Sequence, residues 1–97
     1  MIGKIVIVRC NRAGVFYGKL SEFDSETREA TLTDVRRVWC WHGAASLSQL
    51  AEEGVKNKVD TKITQPVSEM VVMEVIEIIP CTEYAIENLN SVKVWKR

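Results

Sequence analysis

Turn-forming residues divide this chain into short, β-branched apolar segments. Segments of this length and composition predict a small, mainly β fold. The first segment, IGKIVIVR, predicts a strand over residues 2–9, and a turn follows at 11–14, where Gly14 is free to adopt a positive φ. Asp34 predicts a bend, and the Gln65-Pro66 pair predicts a strand end. The further strands that we predict cover residues 15–23, 29–33, 35–41, 58–64, 70–79 and 92–95.

Two short helices interrupt this series of strands. Ser46 with Gln49 three residues later fits a capping box, and Gly54 stands where a glycine commonly ends a helix. Thr82 predicts the cap of a second helix over residues 83–89. The expected fold class is therefore mainly β (α+β): a small barrel of about five to seven strands with two short helices, in a single domain over 1–97.

Composition and charge exclude several classes of protein. The chain is 46% hydrophobic and 27% charged, as in an ordinary globular domain, and its net charge of zero argues against a generally basic nucleic-acid coat. A local basic face stays open, since the chain ends in KVWKR. Lys4 and Arg9 interrupt the first apolar run, so we predict no signal peptide, no membrane association and a cytoplasmic location.

The reactive side chains do not form a recognisable catalytic or metal-binding motif. Cys10, Cys40 and Cys81 are far apart, and His42 is the only histidine, so we predict no metal site, no cofactor and no disulfide framework. Cys40 and His42 lie two residues apart, but no third residue is evident to orient the histidine. We therefore expect a protein that is not an enzyme, with no catalytic residues.

The segment from Gly14 to Asp34 resembles the first motif of Sm-like barrels. In that motif glycines allow sharp strand curvature and an aspartate ends a hairpin, which implies an SH3/Sm-like barrel here. Arg28 stands near the position where the family carries its RNA-contacting asparagine. The residues that carry the resemblance are Gly14, Gly18, Leu20, Asp24, Leu32 and Asp34.

A longer set of residues resembles a family of small proteins from tailed-phage and prophage genomes. Its signatures are RRxWxWxGAASLSQLAxxGV, which begins at Arg36, and the terminal VxVWKR, together with the stretch from Glu74 to Thr82. The resemblance implies a phage accessory protein of the anti-defence type, acting in the cytoplasm of a host bacterium. It assigns no site.

The segment 36–49 holds the residue types of a phosphate-binding site. Arginine supplies bidentate phosphate donors, tryptophan offers a face on which a base can stack, and a helix start presents free N–H groups. On an ideal strand Arg37, Trp39 and Trp41 would share one face, with Arg36 on the other. Structural roles compete with this interpretation, because tryptophans commonly lie in the core and Ser46 fits a helix cap. The candidate ligand-binding residues are Arg36, Arg37, Trp39, Trp41, Gly43, Ser46 and Ser48, with Trp95 and Arg97 as additional candidates.

Three functional hypotheses follow. The first is a homo-oligomeric, non-enzymatic protein that sequesters a phosphate-bearing nucleotide, such as a cyclic nucleotide or an ADP-ribose derivative; the apolar strands motivate the assembly. The second is an Sm-like RNA-binding ring. The third is a protein-interaction module that inhibits a host protein or serves in the virion, through the acidic residues Glu52, Glu53, Asp60 and Glu69.

Overall fold

The computed structural model describes residues 1–97 as six antiparallel strands and two short helices, in agreement with the predicted fold class. The sheet order is β4-β3-β2-β1-β6, and β5 pairs with the first half of β3. The elements are β1 (Ile5–Cys10), β2 (Gly14–Asp24), β3 (Glu29–His42), α1 (Leu47–Glu53), β4 (Asn57–Ile63), β5 (Val67–Val72), β6 (Val75–Pro80) and α2 (Glu83–Asn90).

β3 is one continuous, bent strand, whereas the sequence predicted two strands separated at Asp34. Asp34 does break the regular geometry, with φ at 47°, and the register between β2 and β3 shifts at Gly18. A Cβ on Gly18 would lie 3.0 Å from the Cα of Val35, so this glycine lets the two strands approach. The bulge bends the strand without ending it, because pairing with β2 resumes on both sides.

The predicted strand over 70–79 is wrong in its extent, since the structure has two strands there. The chain reverses at Glu74, whose φ is 58°, and the Glu74 carbonyl accepts from the N–H of Asn11. β5 pairs only with β3, and β6 pairs only with β1, so each keeps one free edge. The predicted terminal strand is reduced to an isolated parallel bridge between Ile63 and Val94.

Alternating residues of the strands build two apolar clusters, one on each face of the sheet. Val6 and Phe16 belong to the first cluster, while Ile7 and Tyr17, their chain neighbours, belong to the second. Both helices cover the second face: Leu50 and Ala51 of α1 and Leu89 of α2 are fully buried there.

Side-chain caps fix the helices as the sequence predicted. Ser46 caps α1 by accepting from the Gln49 N–H, and Thr82 caps α2 by accepting from the Ala85 N–H. Thr82 also joins the two helices, because its hydroxyl donates to the Glu52 carbonyl at 2.7 Å. No helix is long and apolar enough to cross a membrane.

Candidate functional site

A pair of stacked tryptophans forms an exposed aromatic surface. The ring centroids of Trp39 and Trp95 lie 6.0 Å apart with 16° between the ring planes. Trp39 is 62% exposed, although it lies at the outer end of β3 beside a well-packed sheet. The Trp95 backbone N–H donates to the Ile63 carbonyl at 2.9 Å, which holds the C-terminal segment against β4. Trp95 thus packs against Trp39, whose side chain stays largely open to solvent.

A basic groove runs along this tryptophan pair. One wall is β4 and the other is the C-terminal segment, and the groove encloses about 500 Å³. Lys62 places its Nζ 5.4 Å from the Trp95 ring centroid, and the Arg97 guanidinium lies 5.7 Å from the same centroid. Its lining contains four lysines and no carboxylate: Lys58, Val59, Thr61, Lys62, Ser91, Lys93, Val94, Trp95 and Lys96. We call this surface, together with Trp39 and Arg97, the basic groove.

Arg36 does not reach the basic groove. It is only 6% exposed, and its guanidinium donates to the backbone carbonyls of Thr64, Ile63, Val92 and Leu89 at 2.7–3.3 Å. Four of its five N–H donors are therefore engaged. Burial lowers the pKa of this guanidinium from its ordinary value. By these hydrogen bonds Arg36 connects the end of β4 to the segment after α2. These two parts of the chain form the two walls of the groove.

Trp41 is separated from Trp39 by the irregular pairing of β3 with β4, and Arg37 contacts Phe16. The Arg37 guanidinium lies 4.9 Å above the Phe16 ring, on the side of the first cluster. Trp41 is half-buried and packs against the second cluster. The sequence placed Trp39 and Trp41 on one face, but two register shifts between Val38 and His42 break the strict alternation.

Gly43 and Ser46 are occupied by backbone contacts. The Gly43 carbonyl accepts from the Lys56 N–H at 3.2 Å, and a Cβ there would lie 2.7 Å from that nitrogen. The Ser46 hydroxyl accepts from Gln49, while the Gln49 side chain accepts from the Ala45 N–H at 2.8 Å. Ser48 is exposed on α1. The amides at the start of this seven-residue helix are thus partly used by its own capping side chains.

Cys40 and His42 are neighbours, with 3.8 Å between Sγ and Nε2. The Cys40 sulfur also lies 3.7 Å from the Asp60 carbonyl, and no carboxylate contacts the His42 ring. Cys81 is half-buried, and burial raises the pKa of its thiol to about 12. All three cysteines are free, and no cluster of His, Cys, Asp or Glu is placed to hold a metal ion.

The structure therefore brings together Trp39, Trp95 and Arg97 of the predicted site residues, and adds lysines that the sequence analysis did not single out. Lys58 and Lys62 lie four residues apart on β4, and Lys93 and Lys96 flank Trp95. The sequence signal was present in the terminal KVWKR, but it did not show which strand this segment would approach.

The bent sheet resembles the barrels of Sm proteins. A heptameric archaeal Sm protein, described for its implications for the eukaryotic snRNP core, superposes with a TM-score of 0.54 at 22% sequence identity over 84% of this chain and 90% of that one. The SmAP1 heptamer of P. aerophilum gives a TM-score of 0.53 at 22% identity, over 84% of this chain and 82% of that one. The predicted Sm-like barrel is thereby confirmed as a fold.

Sequence comparison identifies a domain family. No curated protein sequence matches the chain significantly. Residues 3–89 match the model of a family described as a domain of unknown function, DUF6948. Because this match spans most of a chain whose sheet is bent as in Sm proteins, the protein belongs to the DUF6948 family and carries an Sm-like fold.

Proposed function

We propose that this protein is a non-enzymatic, homo-oligomeric RNA-binding protein that acts as one domain over residues 1–97. The observation that carries the proposal is the basic groove, where Trp95 stands beside four lysines and Arg97 without a carboxylate in the lining, and the exposed Trp39 stacks on Trp95. Aromatic faces stack bases and lysines neutralise phosphates, so the groove offers the two contacts that RNA requires. The net charge of zero does not oppose this, since binding depends on the local field.

The two free sheet edges favour assembly. β5 and β6 each present an unpaired row of backbone groups, and apolar side chains are exposed beside them: Val67 and Val71 on β5, Met73 in the turn and Ile76 on β6. Pairing β5 of one copy with β6 of the next is a head-to-tail contact, and such contacts close into a ring when the rotation permits. The similar Sm proteins are heptamers, which supports a ring here.

The test combines native mass spectrometry with binding of a fluorescent, mixed-sequence 20-nucleotide RNA. We expect a closed oligomer and an affinity that falls with salt. Lys58→Gln/Lys93→Gln removes two groove lysines. Each phosphate contact contributes about 0.7 to the steepness with which log K falls against log salt, so we expect this plot to become less steep by about 1.4 per protomer. Lys4→Gln/Lys19→Gln makes the same charge change on exposed residues outside the groove and serves as the matched control.

Equal losses in the two double variants would show that the groove is not the binding surface. An RNA affinity that does not depend on salt, or a monomer at micromolar concentration, would contradict the proposal itself.

A second candidate function uses the same stacked tryptophan and lysines for a small phosphate-bearing nucleotide. In this form the protein is a phage anti-defence factor that sequesters a cyclic nucleotide or an ADP-ribose derivative in the cytoplasm of a host bacterium. The tryptophan pair supports it, because Trp39 offers an exposed ring for one base and the Trp95 ring has Lys62 and Arg97 over it for one phosphate. Arg36, Gly43 and Ser46 do not contribute, since backbone contacts engage them.

Calorimetric titration with cyclic AMP and ADP-ribose separates the two candidates. Micromolar binding of either nucleotide, without binding of the 20-nucleotide RNA, would favour sequestration. RNA binding with no heat from either nucleotide would favour the RNA-binding ring.

A further inference from the structure

The chemistry of the basic groove also restricts which nucleic acid it can take, provided that the proposed RNA-binding function holds. Trp39 is the decisive residue because its indole stays largely exposed while Trp95 packs against it. Trp95 stacks on it at 6.0 Å, and Trp95 is itself held by the Ile63 carbonyl and by the bridge between Ile63 and Val94. A rigidly supported indole that remains 62% exposed presents an open π surface of the size of a base.

The cations of the groove are almost all lysines, which act as point charges. Lys58, Lys62, Lys93 and Lys96 line it, and a lysine ammonium neutralises a phosphate without imposing the planar geometry of an arginine. Two carboxylates lie close by without lining the groove. Glu87 lines a neighbouring depression with Lys58 and Tyr84. Asp60 lies on β4 between two lining residues, and its carboxylate accepts from the Asn57 side chain at 2.9 Å. The potential therefore favours a phosphate backbone along the groove itself.

The hydroxyl groups of the groove are committed to the protein backbone. Thr61 donates to the Asn57 carbonyl at 2.7 Å and accepts from the His42 N–H, and Ser91 donates to the Asn88 carbonyl at 2.6 Å. The lining thus offers few directional groups to read the edge of a base or a 2′-hydroxyl. Contacts with phosphates position a strand, whereas contacts with base edges specify its sequence, so this groove holds a strand without reading it.

We infer that the basic groove binds single-stranded RNA or DNA of any sequence, with a base stacked on the open face of Trp39 and the flanking phosphates on the lysines. In a duplex the bases stack on one another and expose no face along the helix, so a duplex gains only the phosphate contacts. A mononucleotide gains one stack and one charge contact, whereas a strand adds further phosphate contacts at each lysine.

The experiment measures the affinity of the full chain for four probes: rU12, dT12, a 12-base-pair RNA duplex and UMP. We expect rU12 and dT12 to bind within threefold of each other, and both to bind at least tenfold more tightly than the duplex or UMP. Trp39→Ala should weaken both single strands by about 5- to 150-fold, the loss expected for one base stack, and leave duplex affinity unchanged. Trp39→Tyr retains an aromatic face and should recover most of the affinity.

Phe23→Ala is the matched control, because Phe23 is a partly exposed aromatic residue outside the groove. The inference is overturned if the duplex binds as tightly as rU12, if Phe23→Ala and Trp39→Ala lose the same affinity, or if dT12 binds more than tenfold more weakly than rU12. In these cases RNA binding, and with it the proposed function, still stands. If the unaltered protein binds neither rU12 nor the duplex, the proposed function falls as well.

Discussion

Arg36 and the basic groove show two opposite uses of positive charge on the same two elements, β4 and the segment after α2. The Arg36 guanidinium is buried and donates to four backbone carbonyls. The groove cations are exposed, and the structure shows them only above an indole ring or facing solvent. A buried cation has to be satisfied by the protein, whereas an exposed cation can keep its charge for a ligand.

Residue type alone does not decide whether a cation is structural; the number of backbone acceptors within its reach does. The Arg36 guanidinium lies where β4 and α2 both end. The last residues of a strand and of a helix have carbonyls that the regular hydrogen-bonding patterns do not use. Arg37, the next residue, meets the Phe16 ring instead and stays exposed. The comparison therefore predicts stability effects at Arg36 and ligand effects in the groove.

The largest expected effect comes from Arg36→Met, which keeps side-chain length and removes the donors. It removes the side-chain donor from the Thr64 and Val92 carbonyls, whereas the Ile63 and Leu89 carbonyls keep backbone N–H donors. At about 1–3 kcal/mol for each unsatisfied group, and because these losses are not additive, we expect about 3 kcal/mol in total. Urea unfolding followed by circular dichroism measures it. Arg37→Met is the neighbouring control and should lose about 0.5–1 kcal/mol, the value of a cation–π contact. Equal losses at the two positions would remove the distinction between them.

A substitution at Gly43 tests whether this residue, which the sequence predicted to bind ligand, instead stabilises the fold as Arg36 does. Gly43→Ala adds a Cβ 2.7 Å from the backbone nitrogens of Lys56 and Asn57 at a φ of +85°. We expect a loss of about 1–3 kcal/mol in unfolding free energy from strain and displacement of the backbone. Gly14→Ala is matched, because Gly14 also has a positive φ, at +105°, but its Cβ would meet nothing within 4 Å. A larger loss at Gly14 would show that backbone conformation, and not contact with β4, fixes Gly43.

The sequence predicted local structure well and spatial grouping poorly. Ser46, Gly54 and Thr82 act through neighbours in the chain, so their roles as helix ends could be predicted and are confirmed. Trp39 and Trp95 are 56 positions apart, and their contact depends on how β4 pairs with β3 and how the C-terminal segment lies on β4. The separation of Trp39 from Trp41 depends on bulges, which the alternation of side chains cannot indicate.

The turn at Glu74 explains why the predicted strand over 70–79 was too long. Met70 to Ile79 is a nearly continuous apolar run, and a short apolar run by itself does not show where a strand reverses. Glu74 was the one polar residue near its centre, and the structure gives it a positive φ and a bidentate partner in Arg12.

Arg12 is intermediate between Arg36 and the groove cations, because it is exposed but has a carboxylate partner. Of the changes considered, we expect the loss of this pair to reduce the stability of the fold least. The Arg12 guanidinium meets Glu74 at 2.8 Å and 3.0 Å, and this hydrogen bonding is the main cause that holds the pKa of Glu74 below its ordinary value of 4.5. Because the folded-state pKa is the lower one, the pair stabilises the fold fully above pH 4.5, and the contribution is lost as the pH falls through the folded-state pKa.

Glu74→Gln should therefore lower the urea midpoint slightly at pH 7, and the difference between the two proteins should shrink as the pH falls below 4.5. The measurement is a series of urea titrations from pH 7 to pH 3 on both proteins, repeated in 0.5 M NaCl, which screens an exposed pair. A midpoint difference that grows as the pH falls would reverse the sign and contradict the pairing. A difference at pH 7 as large as that of Arg36→Met would show that an exposed cation can contribute as much to folding as a buried one, and the division between structural and ligand-binding cations would fail.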